Sequence, residues 1–265
     1  MTKRIASREN ALYKTLARLA SSSRARREQG AALLDGPHLL AAFRASGGIA
    51  ETLAASESGY ARGEIRALFD GAPARSRCIL SDRLFDSLAQ VATPTGILAV
   101  VRTPTATAPP ERLETCLLLE GLQDPGNLGS ILRTAAAAGI GQIFLGTGCV
   151  FAWSPKVLRA GQGAHFGLSI YESVALPPLA ARFPGIVVAT DPHATTNLFD
   201  LDLTGPVAWV FGSEGAGVSH GLGTHATVRA RIPMPGPAES LNVAAAAAVC
   251  LFEQVRQREL GRAAR

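Results

Sequence analysis

Residues 115–265 alternate short apolar runs with segments of helical spacing, and this alternation constrains the fold more than any other feature of the sequence. Continuous apolar runs between helices are typical of a parallel β-sheet that helices cover on both faces. Ligands of such sheets bind beyond the carboxyl ends of the strands, so the loops after the strands are where functional residues are expected. Six runs are predicted to be strands: 115–121, 142–146, 168–173, 185–190, 207–212 and 228–234.

The residues before this region are predicted to form a separate, smaller domain. Proline and threonine crowd together in "RTPTATAPPERLE", where neither a helical nor a strand period survives, as in an interdomain linker. We therefore expect domains at 1–105 and 115–265, joined by a linker at 106–114. The first domain is expected to mix helices and strands, with a helix starting near Pro37 and a closing strand at 96–101.

Nothing in the sequence calls for a metal ion, a disulfide or a membrane. A chain of 265 residues buries a substantial core without such a staple. Its four cysteines stand far apart, with no CxxC pair and no zinc-type spacing, so we expect reduced, mostly buried thiols. The start carries no apolar signal segment, and the run 243–252 is too short to span a membrane. We expect an unprocessed cytoplasmic protein without a metal.

Positive charge is concentrated in the first domain. Residues 1–105 hold 15 Lys and Arg against 9 Asp and Glu, whereas residues 106–265 hold 11 against 12. Residues 1–27 contain eight basic side chains and a single acidic one, Glu9. This excess suits contacts with phosphate, although a solvated basic helix explains it equally well.

The first of three unusual loops is "EGLQDPGNLGSILRT". One interpretation of Asn127 is that it is the N-cap of the helix that follows, because asparagine is favoured at that position. Arg133 is harder to explain locally, because Ala136 and Ala137, one turn on, are too small to shield it from a partner. Its guanidinium is a fixed fork of donors suited to phosphate; a surface arginine lying over small residues is the alternative.

The second and third loops are "FGSEGAGVS" and "IPMPGPAESLNVAAAAAV". Glycines such as Gly212 let a ligand approach the main chain closely, although a plain strand-to-helix turn uses the same residues. The prolines of the third loop forbid helix and strand, and a long helix is predicted from Ser240 to about Glu259. Ser240 is therefore either a helix cap or a functional residue, whereas Asn242 in the first turn has no obvious local role.

Taken in this order, the three loops resemble the three motifs of the SpoU (TrmH-like) branch of the SPOUT RNA 2′-O-ribose methyltransferases. The stretches "DPGNLGSILRTAAAAGI", "VFGSEGAGVS" and "IPMPGPAESLNVAAAAAV" carry the resemblance. The segment "SPKVLRAGQGAHF" is also similar to the family, except that Gly161 and Gln162 replace a serine and a small residue. The first domain resembles, more weakly, an L30e-like RNA-binding domain, but it lacks the Val-Glu-Gly and the helix glutamate frequent there.

The resemblance implies an α/β fold, namely a SPOUT-type parallel sheet with a C-terminal trefoil knot, preceded by a small L30e-like α/β domain. It also implies a homodimer whose active site is completed across the interface. The implied cofactor is S-adenosyl-L-methionine, held largely by main chain. Five residues are placed around that cofactor by the resemblance: Gly212, Ile232, Leu241, Thr190 and Met234.

Five further residues are implied in methyl transfer to a ribose 2′-hydroxyl. Arg133 is the catalytic arginine and Asn127 orients it, while Glu214 is the acid of the second motif and Ser240 and Asn242 lie around the hydroxyl and the cofactor. Because a guanidinium is a poor proton acceptor near neutral pH, we expect Arg133 to clamp an RNA phosphate. The phosphate, Glu214 or water would take the proton.

The expected substrate is RNA, with 23S-type ribosomal RNA favoured by the L30e-like domain and transfer RNA as the alternative. The basic first domain would grip RNA while the second performs the chemistry. A catalytically silent RNA-binding or ribosome-assembly protein is disfavoured, because the motif residues are all present. A nucleotide-binding oxidoreductase is disfavoured too, because GxGxxG needs a glycine where His220 stands.

Overall fold

The computed structural model describes residues 2–89, 93–104 and 108–263, with side chains as far as residue 261. The chain forms two compact units. The first comprises Met1–Thr105 together with Trp153–Phe166, and the second comprises Ala106–Ala152 with Gly167–Arg265. Each unit has its own β-sheet.

The first unit contains a five-stranded mixed sheet. Its strands are β1 (Thr2–Ile5), β2 (Ala31–Asp35), β3 (Ala50–Ser56), β4 (Ala74–Leu80) and β5 (Ile97–Arg102). Their order is β1-β4-β3-β5-β2, and β5 runs antiparallel to both of its neighbours. The helices before residue 90 are α1 (Ala11–Ser21), α2 (Ser23–Gln29), α3 (Pro37–Ala45), α4 (Glu57–Ala61), α5 (Gly63–Gly71) and α6 (Asp82–Asp86).

Two predicted elements of this unit are confirmed, the helix near Pro37 as α3 and the closing strand as β5. Proline at the first position of α3 has the backbone angle that a helix start needs and lacks an N–H that would stay unbonded there. Helix α1 begins after Asn10, whose Oδ1 accepts a hydrogen bond of 2.9 Å from the Leu12 N–H. Its buried face, including Leu16, packs into the core on one side of the sheet.

Part of the basic charge near the start of the chain is neutralised within the first unit. Lys14 pairs with Glu9 at 2.5 Å, and Arg24 pairs with Glu28 at 2.6 Å. Arg26 is buried and donates from Nη1 to the carbonyl oxygens of Leu19 and Ala20. The net charge of this segment therefore overstates the number of side chains that are free to meet phosphate.

The second unit contains a seven-stranded sheet in which every pairing is parallel. Its strands are β6 (Cys116–Leu119), β7 (Gln142–Leu145), β8 (Ser169–Tyr171), β9 (Ile186–Thr190), β10 (Thr196–Asn197), β11 (Val207–Phe211) and β12 (Val228–Arg231). All six predicted strands are confirmed, and only the two-residue β10 was not foreseen. The strand order is β10-β12-β9-β11-β6-β7-β8.

Five α-helices follow residue 120 among the residues that the structure describes. They are α7 (Pro125–Ala137), α8 (Pro155–Gly161), α9 (Leu176–Ala181), α10 (His220–Gly223) and α11 (Val243–Ala263), of which α8 belongs to the first unit. Because the seven strands are parallel, their carboxyl ends share one edge of the sheet. The loops after β6, β9, β11 and β12 therefore meet at that edge.

Helix α11 is anchored to the sheet and to the segment that precedes β11. Trp209 in β11 is fully buried, and its Nε1 donates to Oε1 of Gln254 at 2.9 Å. The other end of the Gln254 amide donates to the carbonyl oxygens of Leu203 and Gly205, both at 3.3 Å. Burying these polar groups is tolerated because each finds a partner, and the bonds fix the position of the helix.

Candidate active site

The loop after β6 starts the site and turns directly into α7. Asp124 is the N-cap of this helix, since its Oδ1 accepts a 2.8 Å hydrogen bond from the Asn127 N–H. Pro125 occupies the first helical position. The interpretation of Asn127 as the N-cap is therefore wrong: the helix begins two residues before Asn127, which frees its side chain for contacts outside the helix.

Asn127 joins the three motif loops through its side-chain amide. Its Oδ1 accepts a hydrogen bond of 2.9 Å from Nδ2 of Asn242 in the third loop. Its Nδ2 donates to Oε1 of Glu214 in the second loop at 2.8 Å. An amide that accepts at one end and donates at the other fits between an amide donor and a carboxylate acceptor. This cluster, which we call the Asn–Asn–Glu relay, holds the three loops together.

The second loop folds back on itself after β11. Ser213 and Gly217 exchange two main-chain hydrogen bonds of 3.1 and 2.9 Å. A Cβ at Gly212 would overlap main-chain atoms of Gly217 and Val218, so only glycine permits this closure. The loop is thereby narrow and exposes main-chain groups at its rim.

A second carboxylate ties the end of this loop to the first motif. Glu120, directly after β6, accepts hydrogen bonds of 2.8 Å from both the N–H and the Oγ–H of Ser219. Ser219 in turn caps α10. Sequence reasoning missed Glu120, although its position at a strand end was a usable signal. The second loop is thus held at both ends, by Asn127 through Glu214 and by Glu120 through Ser219.

The third loop ends in the long helix α11, which begins at Val243. Asn242, with bonds to the N–H groups of Ala244 (2.9 Å) and Ala245 (3.4 Å), acts as the N-cap. The prediction that the helix starts at Ser240, with Ser240 as an alternative cap, is wrong. Asn242, for which the sequence suggested no local role, caps α11 with its side-chain oxygen and donates from its side-chain nitrogen to Asn127 in the relay.

The second loop, the third loop and the loop after β9 surround one cleft of about 740 Å³ in the second unit, and the first loop is bonded to its lining through Asn127. This volume lies within the range of small-molecule sites. Eight of the ten residues singled out from the sequence line it: Thr190, Gly212, Glu214, Ile232, Met234, Ser240, Leu241 and Asn242. Asn127 contacts two of them through the relay. The structure therefore brings nine of the ten together.

Arg133 is the exception. It is exposed on α7 and does not line the cleft, and its side chain makes no hydrogen bond or ion pair with the residues that the structure describes. A six-residue step along a helix advances about 9 Å and turns about 240°, so Asn127 and Arg133 point in different directions. Within one chain, Asn127 therefore bonds to Glu214 and Asn242 and does not orient Arg133.

Three charged cleft residues, Asp191, Arg229 and Glu239, were also missed from the sequence. Asp191 follows β9 directly, and Arg229 lies in the neighbouring β12. Nη1 of Arg229 and Oδ2 of Asp191 are 3.3 Å apart. The strand-end position of Asp191 was again the available signal.

None of the four cysteines lines the cleft. Burial raises the pKa of Cys78 to about 11 and the pKa values of Cys116 and Cys250 to about 12. Cys149 is half-buried and its pKa is also raised, mainly by burial. Neutral thiols are poor nucleophiles and poor metal ligands. The described residues contain no cluster of three or more metal-binding side chains and no helix long and apolar enough to cross a membrane.

Comparison with known proteins identifies the family. The model of the SpoU rRNA Methylase family matches residues 114–252. The chain is 37% identical over 271 residues to an uncharacterized tRNA/rRNA methyltransferase of Synechocystis, covering 96% of this chain and 93% of that protein. It is 32% identical over 226 residues to the 23S rRNA (guanosine(2553)-2′-O)-methyltransferase RlmP of Bacillus subtilis, covering 83% and 86% of the two chains.

A solved structure agrees with these relatives. The SpoU methyltransferase AviRb from Streptomyces viridochromogenes, in complex with its cofactor AdoMet, aligns with a TM-score of 0.85 at 28% identity. The alignment covers 95% of this chain and 99% of that chain. The loops that form the cleft all lie within the matched residues 114–252. By sequence and by fold, this chain belongs to the SpoU rRNA methylase family.

Proposed function

We propose that this protein is an S-adenosylmethionine-dependent methyltransferase that modifies a ribose 2′-hydroxyl in ribosomal RNA of the 23S type. The observation that carries the proposal is the Asn–Asn–Glu relay, which joins three loops at the edge of one cleft. RlmP of Bacillus subtilis is named for this reaction on 23S rRNA, which supports the choice of substrate.

The cleft has the chemistry that the cofactor requires. S-adenosylmethionine, when bound, supplies a methyl group on a positively charged sulfur. Ile232 and Leu241 offer apolar surface to the adenine, and the narrow loop after Gly212 offers main-chain donors and acceptors. The acidic side chains of Asp191, Glu214 and Glu239 outnumber Arg229 in the lining, which suits a cation.

The relay prepares the side of the cleft where the ribose would react. Methyl transfer to a hydroxyl requires alignment of the reacting atoms and removal of one proton. Asn127 holds the carboxylate of Glu214, and Asn242 holds Asn127 while capping α11. Glu214, the RNA phosphate or water accepts the one proton that is removed, and Ser240 lines the same cleft as Glu214.

Arg133 acts in the cleft of a second subunit in this proposal, so the enzyme is a homodimer. Its exposed guanidinium lies outside the cleft of its own chain, where it would have to act if one chain sufficed. Helix α11, which contacts α7, leaves Phe252 47% and Leu260 58% exposed, a suitable apolar surface for a partner subunit. The partner's Arg133 would clamp the RNA phosphate with its fork of donors.

Subunit mixing tests this arrangement. Arg133→Ala and Asn242→Ala are each expected to lose most of their activity as homodimers, because each lacks one residue of every site. When the two variants are co-expressed in equal amounts, about half of the dimers are heterodimers, and each of these has one intact site of two. About a quarter of the wild-type activity is therefore expected. Heterodimers with no activity would show that Arg133 and Asn242 act within one chain.

The reaction itself is tested with S-adenosylmethionine labelled in its methyl group. Incubation with 23S rRNA is expected to give label at a single 2′-O-methylated nucleotide, and 16S rRNA and transfer RNA serve as competing substrates. Arg133→Lys keeps the charge but loses the fork, so a rate at least tenfold lower is expected. Label in transfer RNA alone would exclude the ribosomal substrate, and no label in any RNA would exclude the enzyme.

The first unit is proposed to be L30e-like and to bind the RNA, since it carries most of the excess positive charge. The second unit is proposed to hold a trefoil knot, in which the segment leading to α11 passes through the loop between β9 and β11. Two features support the knot: β10 lies outside β12 in the sheet, and Gln254 and Gln257 bond to carbonyl oxygens of 201–205. An enzyme of ribosomal RNA is expected to work in the cytoplasm.

A further inference from the structure

We infer that Asp191 accepts hydrogen bonds from the ribose hydroxyls of the bound cofactor. This inference rests on the proposed function, and it assigns a role to a residue that the motif resemblance does not include. Asp191 lines the cleft, and its side chain is 26% exposed. Its carboxylate is thus neither buried in the core nor free in solvent.

The position of the carboxylate is fixed by its surroundings. The Asp191 N–H donates to the carbonyl oxygen of Ala230 at 3.0 Å, which continues the pairing of β9 with β12. Oδ1 accepts a hydrogen bond of 2.9 Å from the His193 N–H, and Oδ2 contacts Arg229 at 3.3 Å. Each carboxylate oxygen has two lone pairs, so one on each remains for a ligand.

The order of the strands decides which part of the cofactor lies near Asp191. The relay joins the loops after β6 and β11 with Asn242, and the methyl group must face that side to reach the RNA hydroxyl. Asp191 follows β9, and β11 lies between β9 and β6 in the sheet. Two strand spacings, or about 10 Å, therefore separate β9 from β6. Ile232, which follows β12, the strand paired with β9, offers apolar surface for the adenine on this same side, so the adenosine part of the cofactor is placed near Asp191.

Within adenosine, the ribose presents the donors that a carboxylate accepts best at this place. The adenine ring is assigned to the apolar side chains of Ile232 and Leu241, which leaves the two ribose hydroxyls for the charged rim. An acidic residue beyond a strand end binds ribose hydroxyls in the same way in dinucleotide-binding α/β folds. A hydrogen bond to a charged group is strong enough for its loss to be measured as a change in affinity.

Calorimetric titration with two probes tests the inference. The probes are S-adenosylhomocysteine and the same compound lacking both ribose hydroxyls. Wild-type protein is expected to bind the second probe at least tenfold more weakly than the first, as loss of charged hydrogen bonds requires. Asp191→Asn is expected to bind S-adenosylhomocysteine about tenfold more weakly than wild type and to discriminate between the two probes less than threefold.

Two further variants separate ribose binding from a structural role of the ion pair. Arg229→Gln removes the ion pair but keeps the carboxylate, so it is expected to keep the wild-type discrimination between the probes. Asp200→Asn removes an exposed carboxylate outside the cleft lining and is expected to match wild type in affinity and melting temperature.

Three outcomes overturn the inference. Asp191→Asn with wild-type affinity, or with undiminished discrimination, would show that the carboxylate does not contact the ribose. Arg229→Gln with the same loss of discrimination as Asp191→Asn would assign the effect to the ion pair. Wild-type protein that binds neither probe would overturn the proposed cofactor as well, and so differs from the first two results.

Discussion

Replacing Asn127 is expected to disable the enzyme while leaving the fold intact. Asn127→Ala removes both side-chain bonds of the relay, and Asn127→Asp keeps the acceptor but places a second carboxylate beside Glu214. A bond to a neutral partner contributes about 0.5–1.5 kcal/mol and a bond to a charged group about 1.5–3 kcal/mol. Because Glu214 and Asn242 are exposed, water competes for both bonds, and the lower part of each range applies.

These magnitudes give a loss of about 2–3 kcal/mol in the transition state, or about a 30- to 150-fold fall in kcat/KM. The assay is methyl transfer from labelled S-adenosylmethionine to ribosomal RNA. Asn127→Asp is expected to be the worse variant, because like charges at hydrogen-bond distance repel. Asn197→Asp is the matched control, since Asn197 caps a short turn outside the cleft and needs only its oxygen. Asn127 variants with rates within twofold of wild type would refute the role of the relay.

Three other variants probe the same unit. Glu120→Gln keeps its size but turns an acceptor into a donor toward Ser219, so cofactor affinity measured by calorimetry is expected to fall about tenfold at an unchanged melting temperature. Gly212→Ala overlaps main chain, so chemical unfolding is expected to show a loss of about 1–3 kcal/mol, whereas Gly215→Ala, with open space around it, serves as the neutral control. Burial raises the pKa of the Cys250 thiol to about 12, so its contribution to stability is complete below the unfolded pKa and is lost as the pH rises toward 12. The free energy of unfolding in urea is expected to fall between pH 8 and pH 10, and this fall is expected to be about 1–2 kcal/mol smaller in Cys250→Ala than in wild type. Equal falls in the two proteins would contradict the raised pKa.

The sheet of the second unit was predictable because a parallel strand covered on both faces needs a continuous apolar run. The segments at 207–212 and 142–146 are such runs, and both are strands in the structure. The two-residue β10 was missed because so short a strand leaves no period to detect. Helix starts were predicted less well: Asp124 and Asn242 cap α7 and α11, whereas the caps considered from the sequence were Asn127 and Ser240.

The partners of the site residues were beyond the sequence for a different reason. The two bonds of the relay join residues that are separated by 87 and by 115 positions in the sequence. No local sequence pattern encodes contacts of such separation. The motif resemblance brought Asn127, Glu214 and Asn242 to notice together, but it linked Asn127 to Arg133. Helical geometry directs these two side chains apart, which only the position of the helix start reveals.

The bonds that close the cleft give the protein a particular order of assembly. Glu120 accepts hydrogen bonds from Ser219, 99 residues further along the chain, and Asn127 accepts one from Asn242, 115 residues further along. Contacts of such separation form slowly, because the chain must lose the entropy of a long loop before they are made. We therefore expect the site to form last, after local helices and neighbouring strands have formed. A ligand that binds only the completed cleft stabilises the native state relative to its folding precursors, and so shifts the last folding equilibrium toward the native state.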